Sequence, residues 1–401
     1  MTPTLALTCL LASSQMTAMA ATEIPVLVVD TPIDYDHPAL ASVAPEAAPV
    51  NLTTQAAFTG TLPDDASGWD HGTHVAGIIA SWSMAQSENP VTIHNAVLFP
   101  TPEQDTPGIE EPPEDKTPEM LQAELENMTR AFNWDHQLNE TRARVDREAT
   151  ALEATIQRRA VRVVNMSWGE MLLGQMIGVL LTASIQDEDV TGASVIARVN
   201  TLMKITEDRY REMIRRNPEV TFIIAAGNDG RDLNRAGDPI GALSIDRLLR
   251  SALMGTMGDI PGLNAYFSNI REPNVILVGA LNASENRMAR FSNHGAESVD
   301  VLAPGSSIRS TITHGRYTEM SGTSMAAPAV TGLVARLLQI DPELSAGEVK
   351  EIIVSSTDRR NRWRNKVRSG RVNRAEAIAL CREGRRTKDT MLAAAVLLAT
   401  L

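Results

Sequence analysis

Only two cysteines, Cys9 and Cys381, occur in 401 residues, so a disulfide framework is excluded and stability must come from packing. At most one bridge could form, and it is lost if the N-terminus is removed. Basic residues are also short: 37 Lys and Arg against 49 Asp and Glu give a formal net charge of -12. Nucleic-acid binding relies on excess Lys and Arg to neutralise phosphates, so no nucleic-acid partner is expected. No apolar run reaches the roughly 18 residues needed to span a bilayer, and residues 171–183 and 391–401 both fall short. No integral membrane span is expected. There is no internal repeat, whereas 43% hydrophobic residues suffice for a large core and exclude disorder throughout.

The N-terminus, MTPTLALTCLLASSQMTAMA, has an apolar centre and an A-x-A site at Ala18-Met19-Ala20 but no Lys or Arg ahead of it. It reads as a signal peptide over 1–20, which predicts a secreted or periplasmic protein, with a cytoplasmic protein carrying an ordinary N-terminal helix as the alternative. Beyond it, short runs rich in Val and Ile alternate with helical patterns: Ile24–Asp30, Val91–Phe99, Val161–Ser167, Val220–Ala226 and Val275–Ala280. Continuous apolar runs of this length predict strands buried on both faces, and the alternation predicts a mostly parallel sheet between two helical layers, a three-layer α/β fold. A domain over 21–380 is expected, followed by a tail over 381–401. Three stretches interrupt it: the acidic Pro-rich "PTPEQDTPGIEEPPEDKTP", a long helix expected from about Pro118 to Ala160, and an apolar insertion over about 170–190. Thr117 before Pro118 and Glu119 is a sound helix start, and Leu121, Leu125, Met128 and Phe132 make an apolar stripe suited to packing. The run of Arg359, Arg360, Arg362, Arg364, Lys366, Arg368, Arg371 and Arg374 reads as a solvated basic surface.

Several apolar runs end in polar residues, where open α/β sheets place ligands. Asp30 closes "VLVVD", Ser167 closes "VVNMS" and Asn228 closes "FIIAAGN". "DHGTHVAGIIA" offers His71 and His74 at the entry to a helix, but three apart and without the zincin Glu between them, so a metal site is not expected. His71 suits a general base whose tautomer a carboxylate such as Asp30 could fix. A buried amide at Asn228 could face a developing oxyanion. In "SGTSMAAPAVTGLVARLL", Ser324 reads either as a helix N-cap, with Pro328 tolerated in the first turn, or as a nucleophile.

The order of "VLVVDTPIDYDHPAL", "HGTHVAGIIA", "VVNMSWG", "FIIAAGNDG", "NVILVGAL", "FSNHGAESVDVLAPG", "SGTSMAAPAVTGLVARLL" and "GRVNRAEAI" resembles that of the subtilisin-like serine proteases over about residues 24 to 380. The chain order Asp, His, Ser separates this family from the α/β-hydrolases. The resemblance implies an endopeptidase acting on extended polypeptide substrates, with Ser324 as nucleophile, His71 as general base and acid, Asp30 orienting the imidazole, and Asn228 joining the Ser324 N–H as oxyanion donor. It further implies that Ser167, Trp168 and Gly169 form a substrate-pairing edge and that Ala226 and Gly227 line the primary specificity pocket. No metal and no other cofactor are implied: Ala39 stands where the family's calcium site uses an Asp, and "SWSMAQSENPVTIH" is too short for the calcium-binding loop.

Other departures from the family carry expectations. Asp30 is followed by Thr31 and Pro32 where the family has Ser or Thr and then Gly, so the carboxylate could be shifted. A catalytically impaired, peptide-binding protein of the same fold is therefore the alternative function. Asp30 comes so soon after the signal-like stretch that folding without an N-terminal pro-segment is expected, or else a misassigned start codon. If the acidic segment lines the cleft, Glu103, Asp105, Glu110, Glu111, Glu114 and Asp115 would favour substrates with Lys or Arg upstream of the scissile bond.

Overall fold

A computed structural model describes residues 23–58, 69–83, 90–98, 134–167, 192–228, 230–234 and 270–399. The signal-like stretch, the acidic segment, the first half of the expected long helix and the apolar insertion lie outside these residues.

Seven parallel strands form the central sheet in the order β2-β3-β1-β4-β5-β6-β7. They are β1 (Ile24–Asp30), β2 (Val50–Asn51), β3 (Val91–Val97), β4 (Val163–Met166), β5 (Thr221–Ala225), β6 (Val275–Leu281) and β7 (Val301–Pro304). A separate antiparallel hairpin, β8 (Ile308–Ile312) and β9 (Arg316–Met320), follows. Among the described residues the α-helices are α1 (His71–Ser83), α2 (Trp134–Arg158), α3 (Gly192–Arg216), α4 (Thr323–Ile340), α5 (Ala346–Ser355) and α6 (Arg374–Ala399).

Strand β1 explains the three layers. Successive strand residues point to opposite faces, and every residue of β1 is buried. Ile24, Val26 and Val28 join a core built with Val75 and Ile79 of α1 and Val330, Leu333 and Leu337 of α4. Leu27 and Val29 join the opposite core, with Val145, Ala149 and Leu152 of α2 and Tyr210 and Met213 of α3. A strand covered on both sides can hold no polar alternation, hence its continuous apolar run.

Between α1 and α4 the contact is close enough that a Cβ at Gly332 would lie 2.6 Å from the Ile79 carbonyl oxygen, so only glycine fits there. Helix α6 runs unbroken through residue 381 and packs back on α4, where the Cys381 thiol reaches the Leu337 carbonyl at 3.6 Å. Cys381 is a free, buried thiol. In the basic run, Arg359, Arg360, Arg362, Arg364, Lys366 and Arg368 are exposed, while Arg371 pairs with Asp358 at 2.6 Å.

Candidate active site

Strand order reverses at β1: the chain steps outward to β3 and β2 on one side and to β4 through β7 on the other. Crevices form at the carboxyl ends of strands at such a point. Asp30 is the last residue of β1, and Ser167 is the first residue past β4.

Asp30 is 1% exposed. Its Oδ1 accepts from the Thr31 N–H at 2.7 Å and from His71 Nδ1 at 2.7 Å. Pro32 therefore does not displace the carboxylate: the turn uses the N–H groups of Thr31 and Ile33, and none is needed between them. Asn95, buried on β3, completes the turn by accepting from Ile33 N–H at 3.2 Å and donating to the Thr31 carbonyl at 3.3 Å. The Thr31 hydroxyl accepts from Gly72 N–H at 2.8 Å and donates to the Trp69 carbonyl at 3.0 Å. One residue thus ties the end of β1 to the start of the histidine helix.

His71 opens α1, with its side chain 30% exposed. Donation from Nδ1 to Asp30 leaves Nε2 as the acceptor in the neutral tautomer. Burial disfavours the imidazolium, but the Asp30 charge and hydrogen bond together outweigh it and hold the His71 pKa above the ordinary value of 6.5. His74 has a different setting. It is fully buried, its Nε2 lies 3.2 Å from the Thr318 carbonyl oxygen, and burial pushes its pKa down to about 4. The two histidines are therefore not paired ligands, and among the described residues no group of three or more His, Cys, Asp or Glu is placed to hold a metal ion.

Ser324 is the second residue of α4, not its cap: Gly322 occupies the N-cap and has no side chain to offer, and the Thr323 N–H is taken by Asn228 Oδ1 instead. Pro328 is correspondingly the sixth helical residue rather than part of the first turn, and it has no N–H to offer the Ser324 carbonyl. The Ser324 hydroxyl donates to the Ser167 carbonyl at 2.9 Å. Among the described residues no hydrogen bond joins Ser324 to His71.

Asn228 is exposed, contrary to the buried amide expected, because it stands three residues past the end of β5. Its Oδ1 accepts from the Thr323 N–H at 2.8 Å and the Thr323 hydroxyl at 3.0 Å, which commits Nδ2 to the other side. The Cβ direction of Gly322 marks a point 3.4 Å from Asn228 Nδ2 and 3.6 Å from the Ser324 nitrogen, so two N–H-bearing nitrogens border one small space. The positive end of the α4 dipole adds to them.

Gly227, with φ 98°, donates its N–H to the Thr323 hydroxyl at 3.1 Å and thus sits beside the start of α4. The adjoining Ala226 is held by Asn293, whose Nδ2 donates to the Ala226 carbonyl at 2.9 Å. Ser167 is 2% exposed; Trp168 and Gly169 lie outside the described residues. Thr31, Asn95, Asn293 and Thr323 were missed in the sequence. Thr31, Asn293 and Thr323 stand within the quoted motif blocks, whereas Asn95 shows only as a polar residue inside an apolar run.

A buried carboxylate on a partly exposed imidazole, a hydroxyl at a helix start and paired N–H groups beside it define a hydrolase-like site on a parallel α/β sheet. A family model described as the subtilase family matches residues 21–375, and the chain belongs to that family. Subtilisin DY of Bacillus licheniformis is 40% identical over 105 residues, which cover 26% of this chain and 38% of that protein. The chain thus aligns with well under half of that relative's length. Among solved structures, a lanthipeptide protease is similar at a TM-score of 0.51 and 17% identity, covering 92% of this chain and 91% of the other. The A-subunit of the AB5 toxin from E. coli gives 0.50 and 17%, covering 90% and 93%. At these identities the likeness concerns the fold alone. Among the described residues no helix is long and apolar enough to cross a membrane.

Proposed function

We propose that the protein is a serine endopeptidase that hydrolyses polypeptides through Ser324, His71 and Asp30, with Asn228 and the Ser324 N–H as oxyanion donors. The observation that carries this reading is the 2.7 Å bond from His71 Nδ1 to the buried Asp30, which leaves Nε2 as a base on the partly exposed side of the ring. Ser324 turns about χ1 from the Ser167 carbonyl to donate to Nε2. As Ser324 Oγ attacks the scissile carbonyl, its proton passes to Nε2, and Asp30 stabilises the imidazolium that forms. The carbonyl oxygen becomes an anion between Asn228 Nδ2 and the Ser324 N–H, where fixed donors act in a partly water-excluded site. His71 then returns the proton to the leaving amine, and a water activated by the same Nε2 releases the acyl group from Ser324.

Ser167 to Gly169 pair with the backbone of an extended substrate, and Ala226 and Gly227 wall the pocket for the residue before the scissile bond. The signal-like N-terminus fits secretion. Incubation with a mixture of unstructured peptides tests the function: cleavage at internal bonds, lost in Ser324→Ala, is the expected result. Intact peptides in the presence of folded wild type would refute it.

A further inference from the structure

Behind the nucleophile, a chain of buried polar side chains takes no part in the chemistry above. Asn165 of β4 and Thr331 of α4 are both fully buried. Thr331 Oγ1 lies 2.8 Å from Asn165 Oδ1 and 3.1 Å from the Ala327 carbonyl oxygen. Asn165 Nδ2 lies 2.9 Å from Ser167 Oγ, and the Ser167 carbonyl accepts from Ser324 at 2.9 Å. The links close a loop: Thr331 and Ser324 stand on one helix, Asn165 and Ser167 on the end of one strand. A hydroxyl has one proton, and the shorter approach is to Asn165. Turning the amide over exchanges donors and acceptors but leaves both side-chain links in place.

An apolar pair would fill this space without desolvating an amide and a hydroxyl, which is costly unless both are satisfied. The polar pair adds direction. Strand β4 pairs with β1 only as far as Met166 and with β5 only as far as Met166, so Ser167 stands beyond both ladders. Its backbone position is instead fixed by its own side chain, through Asn165 and Thr331, to the helix that carries the nucleophile.

We propose that Asn165 and Thr331 are positioning residues for the peptidase reaction, keeping the end of β4, with the Ser167 backbone, in register with α4 and so with the Ser324 that α4 carries. The inference rests on the reading of Ser324 as the nucleophile.

Thr331→Val keeps the side-chain shape and removes the hydroxyl. At a temperature where circular dichroism finds the variant fully folded, kcat on a peptide substrate should fall about tenfold while KM stays within about twofold. Thr331→Ser keeps the hydroxyl and should return kcat to near the wild-type value, although it loses a methyl group. A structural role alone would lower the melting temperature of both variants and leave kcat of the folded enzyme unmoved. If Thr331→Val does not fold, Thr331→Ala, with the same hydroxyl removed and less bulk, is held to the same kcat loss. Wild-type kcat in a folded variant without the hydroxyl, or a loss in Thr331→Ser equal to that in Thr331→Val, overturns the proposal and leaves the peptidase reading standing. A folded wild type that cleaves no peptide removes that reading, and this proposal with it.

Discussion

Gly72→Ala should disable the active site by a single methyl group. A Cβ on Gly72 would lie 2.2 Å from the Thr31 carbonyl oxygen, 3.0 Å from its carbonyl carbon and 3.1 Å from its Oγ1. Ordinary carbon–oxygen contact is about 3.3 Å, so the gap must open by about 1 Å. Thr31 cannot yield easily: its carbonyl accepts from buried Asn95, and it directly follows the last residue of a strand paired on both sides. The start of α1 must move instead, carrying His71 away from Asp30. A bond of 2.7 Å stretched by about 1 Å is no longer a hydrogen bond. The imidazole then loses its orientation, and a displacement of this size costs roughly 100-fold in rate. Overpacking adds about 1 to 3 kcal/mol of destabilisation. Steady-state kinetics on a peptide substrate, with a thermal melt of the same preparation, separate the two effects. A folded Gly72→Ala enzyme with kcat/KM within about threefold of wild type would show that the Thr31–Gly72 contact does not set the Asp30–His71 geometry.

Asp30→Asn removes the charge that raises the His71 pKa and leaves burial, which lowers it. The acid limb of kcat/KM, above 6.5 in wild type, should move below that value while kcat falls by about 10⁴; a pH–rate profile checks both. His74 carries the opposite linkage to stability. Its pKa is about 4 when folded against 6.5 when free, so its contribution is fully present above 6.5 and is lost as pH falls towards 4. Denaturant unfolding should register up to roughly 3 kcal/mol of this loss in wild type and a flatter profile in His74→Gln. Pro32→Gly should keep kcat/KM, because among the described residues no hydrogen bond uses position 32, and should lose about 0.4 to 1 kcal/mol through the freer unfolded chain; a large fall in kcat with unchanged folding would mean that the ring itself shapes the Asp30 turn.

What could be read from the sequence follows how far each signal is local. Strand β1 was legible to the residue because burial on both faces writes itself as a continuous apolar run that ends at Asp30, the last residue of the strand. The runs starting at Val91 and Val161 overstate β3 and β4: apolar Leu98 stands past the last ladder pair of β3, and Val161 stands ahead of the first pair of β4. The two-residue strand β2 is too short to show any period, and β7 is closed by Pro304 after four residues. Motif blocks located Asp30, His71, Asn228 and Ser324, but not the hydroxyl's partner, because whether Ser324 faces His71 or Ser167 is set by residues more than a hundred positions apart. For the same reason Asn165, Thr331, Asn95 and Thr31 carry no role in the sequence, although all but Asn95 stand within the quoted motif blocks. Each acquires a role from a partner on another element.

Covalent labelling with a fluorophosphonate, followed by peptide mapping, puts the assignment of Ser324 to the test without any choice of peptide substrate. Wild type should carry one adduct, on Ser324; Ser324→Ala should carry none, and His71→Ala should label far more slowly, because the base that takes the hydroxyl proton is gone. Well-folded wild type that remains unlabelled, or an adduct that persists in Ser324→Ala, would contradict the active site described.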